Sequence, residues 1–252
     1  MTDMMSRLKK SHKPRPPIAI IYGRSGIGQT SLANCAPNCI NIQLEDGLVG
    51  EHLAKAHTFG VLQSYEEFVG ALKAVAANHK SEKWQTVVID SLDALDPLVK
   101  EHVCEENNWS RLEDGAYGAG KSAHVNAWAK VITMLQHIRN SCGLGVIMVG
   151  HNKPVQVTSP DSDPYHQQSL TLHQDVAKPL IAHSDLVLFA TFPTHTISKD
   201  LGFNKKATRA ITEAAVLMTT EQGAHVAKNR FSMPDKIPMQ WDELKQYVPA
   251  WK

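Results

Sequence analysis

Five short apolar segments along the chain predict the strands of a sheet. Strands that helices cover on both faces lose the strict alternation of apolar and polar residues, and these segments are apolar for most of their length. They are Ile18–Tyr22, Cys39–Leu44, Val87–Ile89, Gly145–Val149 and Leu186–Phe192. The pattern therefore predicts a mainly parallel sheet at the centre of the fold.

Segments with helical periodicity lie between these strands. The longest, Ser122–Asn140, places Trp128, Val131 and Leu135 along one face. The others are Thr30–Asn34, Tyr65–Asn78 and Ala94–Glu106. Strands that alternate with helices imply crossover connections, so we expect an α/β fold with a twisted parallel sheet flanked by helices.

The pattern changes towards the end of the chain. Ala214–Thr219 and His225–Lys228 flank a turn-like Glu221-Gln222-Gly223, which predicts a hairpin of antiparallel strands that extends the sheet. Residues 1–16 are polar and basic and predict a flexible arm. A single domain is expected over residues 17–252.

Two long segments are predicted to be loops. Residues 107–121 are rich in glycine and polar side chains, and residues 152–168 contain Pro154, Pro160 and Pro164. Loops of this length in a compact domain usually serve a function or lack order.

Composition excludes several classes of protein. The chain has 26 basic and 25 acidic residues, so no overall charge points to nucleic acid or to a membrane surface. Its four cysteines show no metal-ligand spacing, which favours reduced thiols. No segment has the length of a membrane span or the pattern of a signal peptide, so a cytoplasmic protein without membrane contact is expected.

A glycine-rich loop follows the first strand and carries the strongest chemical signal. It fits the phosphate-binding pattern GxxxxGK[ST] except that glutamine replaces the lysine. Its residues are Gly23, Arg24, Ser25, Gly26, Ile27, Gly28, Gln29 and Thr30, with Ser31 next in the following helix. Such backbone N–H groups surround a phosphate, and the Thr30 hydroxyl is suited to Mg²⁺. Nucleotide binding is therefore expected, and hydrolysis is in question.

A second segment, Gly115–Ser122, matches the same pattern in full. A working phosphate loop needs a buried strand before it, but residues 107–114 are polar and poor in strand-forming residues. We therefore interpret this segment as a loop that ends at the start of a helix.

Polar residues follow three of the other predicted strands. Asp90 is placed to hold Mg²⁺ through water, and Glu45 is placed to act as a general base. His151 is a candidate sensor of the γ-phosphate, whereas Asp93 is expected at the surface or as a helix cap. Strand alternation puts Lys228 and Arg230 on one face, from which two cations can reach a neighbour's γ-phosphate.

The order of these parts resembles the RecA-like P-loop ATPases. The segments GRSGIGQTSLA, LEDGL, VVIDSLDAL, VGH and AKNRFSMPDKIPMQW resemble, more narrowly, the small phage AAA-type ATP-binding proteins related to the Sak single-strand annealing class. The resemblance covers about residues 17–241.

This resemblance implies a homo-oligomer that binds ATP and Mg²⁺ between subunits. Glu45 would be the catalytic base, Asp90 the Mg²⁺ partner, and Lys228 and Arg230 fingers supplied by a neighbour. By analogy with RecA-like recombinases, residues 107–121 and 152–168 would contact single-stranded DNA. The residues suited to stacking or phosphate contact there are Trp109, Arg111, Tyr117, Lys121, Lys153 and Tyr165.

The chain departs from the family at Gln29, where these proteins carry lysine. A positive charge of this kind is typically worth ~10²–10³ in rate. The first hypothesis is an ATP-dependent phage protein that assists single-stranded DNA annealing or recombination. The alternatives are a hydrolysis-defective, nucleotide-gated interaction module and a replication-associated motor or loader.

Overall fold

The computed structural model describes residues 15–47, 56–160, 162–200 and 206–252. Most of the predicted basic arm, residues 1–14, lies outside this part of the chain. The strands are β1 (Ile18–Gly23), β2 (Cys39–Gln43), β3 (His57–Val61), β4 (Thr86–Asp90), β5 (Gly145–Ser159), β6 (Ser162–Leu170), β7 (Leu186–Thr191), β8 (Thr194–Asp200), β9 (Lys206–Thr212), β10 (Val216–Met218), β11 (Lys228–Asn229) and β12 (Lys236–Pro238). The helices are α1 (Gln29–Ala33), α2 (Tyr65–Glu82), α3 (Leu92–Asn107), α4 (Ala119–His137), α5 (Gln174–His183) and α6 (Trp241–Lys245).

One twisted sheet organises the fold, with strand order β12-β10-β7-β1-β5-β4-β2-β3. The six strands from β7 to β3 in this order pair in parallel. Strands β10 and β12 continue the sheet in antiparallel orientation beyond β7. The predicted α/β fold, a mainly parallel sheet flanked by helices with antiparallel C-terminal strands, is confirmed.

Two apolar layers cover the sheet. The central strands β1 and β4 are buried along their full length, as their uninterrupted apolar sequence predicts. One face packs against Phe68 of α2 and Trp128 of α4, and the other against Leu32 of α1 and Leu244 of α6. The rigid sheet therefore fixes the positions of the residues that follow each strand.

The prediction of a loop over residues 152–168 is wrong, because this segment forms a β-hairpin. Strand β5 runs on past the sheet edge and pairs with β6, with Asn152 opposite Leu170 and Val157 opposite Tyr165. A two-stranded ribbon has free edges, so it tolerates the prolines that argued against strand structure.

Residues 107–121 are also more regular than predicted. Short helical turns occupy Leu112–Asp114 and Ala116–Gly118, and α4 begins at Ala119. A Cβ atom on Gly120 would lie 1.8 Å from the Leu112 carbonyl oxygen, so this glycine allows close backbone packing. No strand feeds the segment, which agrees with its interpretation as something other than a second phosphate loop.

The predicted C-terminal hairpin is wrong in its pairing. Strands β10 and β11 each pair with β7, at opposite ends of that strand, and they do not pair with each other. The turn itself forms, since Gln222 and His225 exchange backbone hydrogen bonds of 3.1 Å. A second hairpin, β8–β9, was not predicted.

All four cysteines are free thiols. Among the described residues, no helix combines the length and the apolar character that a membrane crossing requires.

Candidate nucleotide-binding cleft

The carboxyl ends of four parallel strands surround one cleft. Strands β1, β2, β4 and β5 run in the same direction, so the residues that follow them meet at one edge of the sheet. The cleft has a volume of about 410 Å³. Its lining residues are Ser25, Gly26, Gly28, Gln29, Thr30, Ser31, Glu45, Asp46, Gly47, Asp90, Val149 and His151.

The glycine-rich loop leaves β1 and enters α1 in the way that the sequence predicts. Gly26 and Gly28 have φ angles of +77° and +105°, which glycine adopts without strain. Gly23 is required for another reason, because a Cβ atom there would lie 2.4 Å from the Ala190 carbonyl oxygen on β7. The loop backbone therefore has the curvature and the close packing of a phosphate cradle.

Gln29 is buried at the base of this loop, with 4% of its surface exposed. Its side-chain amide donates a hydrogen bond of 3.2 Å to the Arg24 carbonyl oxygen. Gln29 thus stabilises the loop backbone but brings no charge. None of the described residues that line the cleft is a lysine or an arginine.

Asp90 ends β4 and is almost fully buried beside Thr30 and Glu45. Burial raises the pKa of the Asp90 carboxyl, hydrogen bonding to Thr30 opposes this rise, and the charge of Glu45 adds to it. A bound cation would relieve this unfavourable concentration of negative charge. The Thr30 hydroxyl and the Asp90 carboxylate are oxygen donors of the type that Mg²⁺ prefers, so these residues fit the ion that the sequence resemblance implies.

Glu45 and Asp46 follow β2 on the same side of the cleft. Glu45 is half-buried and Asp46 is exposed. With Asp90 they give the cleft three carboxyl groups. A carboxylate at this edge has the position that activation of a water molecule requires.

His151 reaches the cleft from β5 and contacts a residue whose role the sequence did not reveal. Its backbone N–H donates to the Asp93 carboxylate at 2.6 Å, and its Nδ1 lies 3.4 Å from the same oxygen. The Thr171 hydroxyl donates to the other carboxylate oxygen. Asp93 is therefore neither a surface residue nor a helix cap, since Ser91 caps α3.

Lys228 and Arg230 lie at the opposite edge of the sheet from the cleft of their own chain. Lys228 pairs with Val187 near the start of β7, and its Nζ donates to the Ile181 and Ala182 carbonyls at the end of α5. Arg230 forms an ion pair of 2.9 Å with Asp185. Within one chain the structure does not bring these two cations together with the glycine-rich loop.

The residues suggested for DNA contact differ in their surroundings. Tyr117 is fully exposed, whereas Trp109 packs against the core. The three cations of these segments have partners within the chain. Arg111 pairs with Asp114, Lys121 pairs with Asp175, and Lys153 donates to the Thr171 carbonyl.

The chain is similar to several known proteins. An uncharacterised protein of Bacillus subtilis (strain 168), described as SPbeta prophage-derived protein YorG, is 24% identical over 225 residues. The match covers 86% of this chain but only 60% of that protein, so the chain spans less than two thirds of the relative's length. The crystal structure of the RadB recombinase superposes with a TM-score of 0.46 at 12% identity, over 81% of this chain and 89% of that one. A family model described as an AAA domain matches residues 15–231, and the chain therefore belongs to this AAA domain family.

Proposed function

We propose that this chain binds ATP and Mg²⁺ in the cleft and hydrolyses ATP slowly. The observation that carries the proposal is the convergence of the glycine-rich loop, Glu45, Asp90 and His151 on one cleft at the carboxyl edge of the sheet. Bound Mg²⁺ would neutralise phosphate charge during phosphoryl transfer. Asp90 and Thr30 would hold the ion, Glu45 would orient and deprotonate the attacking water, and His151 would contact the terminal phosphate.

The slow rate follows from Gln29. Its amide is engaged with the Arg24 carbonyl and is neutral, so position 29 supplies no charge to stabilise the transition state. The cradle formed by the backbone remains, which supports binding without fast turnover. Steady-state ATP turnover tests this directly when the parent is compared with Gln29→Lys. We expect the lysine variant to be faster by ~10²-fold, in keeping with the value of one such charge.

One control variant and one measurement of Mg·ATP binding define the outcome. Asp90→Asn in the Gln29→Lys background is expected to abolish the Mg²⁺-dependent activity, because the metal loses its carboxylate partner. If Gln29→Lys binds Mg·ATP but shows no turnover, the catalytic roles given to Glu45 and His151 are wrong. The chain would then be a nucleotide-gated interaction module, a function that the cation-free lining of the cleft also suits.

We also propose that ATP lies between subunits of a homo-oligomer. Support comes from the position of Lys228 and Arg230 at the amino end of β7, away from the cleft of their own chain. From this position the two cations can act on a nucleotide only if it is bound by a neighbouring subunit. A separate supporting observation is the lack of any cation in the described lining of the cleft.

The proposed biological role is assistance to annealing or recombination of single-stranded DNA in a phage or prophage, inside the bacterial cytoplasm. The prophage origin of the B. subtilis relative supports the setting. Because Arg111, Lys121 and Lys153 are engaged within the chain, we expect base stacking on Tyr117 to contribute more than phosphate contacts.

Single-strand binding by Tyr117 variants tests this role. Stacking of one base is worth about 1–3 kcal/mol, so Tyr117→Ala should weaken binding of an oligonucleotide by roughly tenfold or more. Tyr117→Phe keeps the ring and should bind like the parent. Equal affinity of the alanine variant and the parent, or no binding by any of them, would remove this part of the proposal.

A further inference from the structure

The cleft has a deficit of positive charge. Its described lining presents the carboxyl groups of Glu45, Asp46 and Asp90 and contains no lysine or arginine. A triphosphate keeps a net negative charge even when Mg²⁺ is bound, so a site of this kind needs a further cation.

Arg24 is the only basic residue of the glycine-rich loop. It is exposed and directly precedes Ser25, which lines the cleft. No ion pair to Arg24 is present among the described residues. Its guanidinium instead lies over the ring of Phe192, with the central carbon 5.3 Å from the ring centroid.

Phe192 holds this cation at the correct edge of the sheet. It directly follows β7, which pairs in parallel with β1, so the carboxyl ends of the two strands are adjacent. An exposed cation–π contact is weaker than a charge-assisted, bidentate bond between arginine and phosphate. Bound triphosphate therefore provides a better partner for the guanidinium than Phe192 does.

Gln29 and Arg24 are also linked directly, because the Gln29 amide donates to the Arg24 carbonyl oxygen. The residue that replaces the expected lysine thus fixes the backbone of the residue that carries the charge. We infer that Arg24 supplies to the triphosphate the positive charge that Gln29 does not, an inference that depends on the proposed nucleotide binding.

A double-mutant cycle tests the inference. Dissociation constants for Mg·ATP and for inorganic tripolyphosphate with Mg²⁺ are measured by calorimetry on the parent, Arg24→Ala, Gln29→Lys and the double variant. In the parent background Arg24→Ala should weaken both ligands by about tenfold or more, because the cation that the glycine-rich loop itself supplies is lost. In the Gln29→Lys background the same change should cost less than about threefold, since the lysine supplies the charge.

Arg24→Lys serves as the matched comparison, because it keeps the charge but loses the bidentate geometry, so its loss of affinity should be smaller than that of Arg24→Ala. Thermal melting of each variant checks that it is folded. Substitution of Arg24 is expected to leave the fold intact, because its side chain is exposed. An equal loss in both backgrounds, or no loss in the parent, would overturn the inference while leaving nucleotide binding intact. Absence of binding by all four proteins would instead remove the nucleotide site itself, and this inference with it.

Discussion

Gly23 shows how one residue joins the fold to the cleft. It ends β1, and the backbone of β7 passes so close that a Cβ atom would lie 2.4 Å from the Ala190 carbonyl oxygen and 3.1 Å from the Ala190 Cβ. The contact is with backbone, so no side chain can turn away. We expect Gly23→Ala to destabilise the protein by roughly 2–4 kcal/mol through strand displacement.

Chemical denaturation of Gly23→Ala measures this loss. Gly26→Ala is the matched control, because Gly26 has open space around it and only a positive φ of 77° to oppose a side chain. Its cost should be about 1 kcal/mol. Equal losses for the two variants would show that the close approach of β7 does not matter.

At the scale of elements, a buried carboxylate joins α3 to α4. Asp96 accepts hydrogen bonds from His124 at 2.8 Å and Trp128 at 2.9 Å, and pairs with Lys100 at 2.6 Å. Burial alone would raise the pKa of Asp96, but these partners outweigh it and lower the pKa from 3.8 to about 2. The folded state thus binds this proton more weakly than the unfolded state does.

The sign of the pH dependence follows from this difference. Ionised Asp96 contributes about 2 kcal/mol of stability above pH 4, and the contribution is lost as the pH falls from about 4 to 2. Asp96→Asn should remove most of this stability at neutral pH and flatten the acid limb, as measured by urea unfolding at several pH values. Asp114→Asn, in an exposed pair with Arg111, should change little. An unchanged acid limb in Asp96→Asn would contradict the assignment.

Asp93 joins another two elements, helix α3 and the hairpin β5–β6. Its carboxylate accepts hydrogen bonds from the His151 N–H and the Thr171 hydroxyl, and these two residues lie opposite each other at the base of the hairpin. Asp93→Asn cannot accept both bonds in the same way, so amides of residues 151–171 should exchange hydrogen about tenfold faster or more. Thr171→Val removes one of the two bonds and should give a smaller increase. Unchanged exchange in Asp93→Asn would show that the carboxylate does not hold the hairpin.

Sequence reasoning succeeded where one pattern determines one element. Buried strands such as β1 and β4 have a continuous apolar sequence. The residues that follow them lie at the cleft because parallel strands end at one edge of the sheet. It failed where the structure of a segment depends on which other strand it pairs with. The prolines of residues 152–168 favour a loop, whereas the segment forms a two-stranded ribbon whose free edges tolerate them. No local pattern indicates that β11 pairs with the start of β7. The contacts of Asp93 also depend on a residue 78 positions away.

At the scale of the whole molecule, the position of Arg230 allows a test of whether each nucleotide site is formed by two neighbouring subunits. Its guanidinium pairs with Asp185 at the amino edge of β7, remote from its own cleft, and 55% of its side chain is exposed. If a neighbour's Arg230 completes each cleft, Arg230→Gln removes a transition-state contact that typically is worth ~10²-fold or more in rate. Asp90→Asn removes the metal partner in the other half of the site.

Mixing these two variants, both in the Gln29→Lys background, separates shared sites from self-contained ones. Each variant alone should be nearly inactive, but a mixed oligomer contains some clefts with an intact Asp90 from one chain and an intact Arg230 from the next. We therefore expect ATP turnover to reappear on mixing, at up to about a quarter of the Gln29→Lys rate if subunits mix at random and each cleft acts alone. Inactive mixtures from chains that are shown to exchange subunits would assign Arg230 to its ion pair with Asp185 alone.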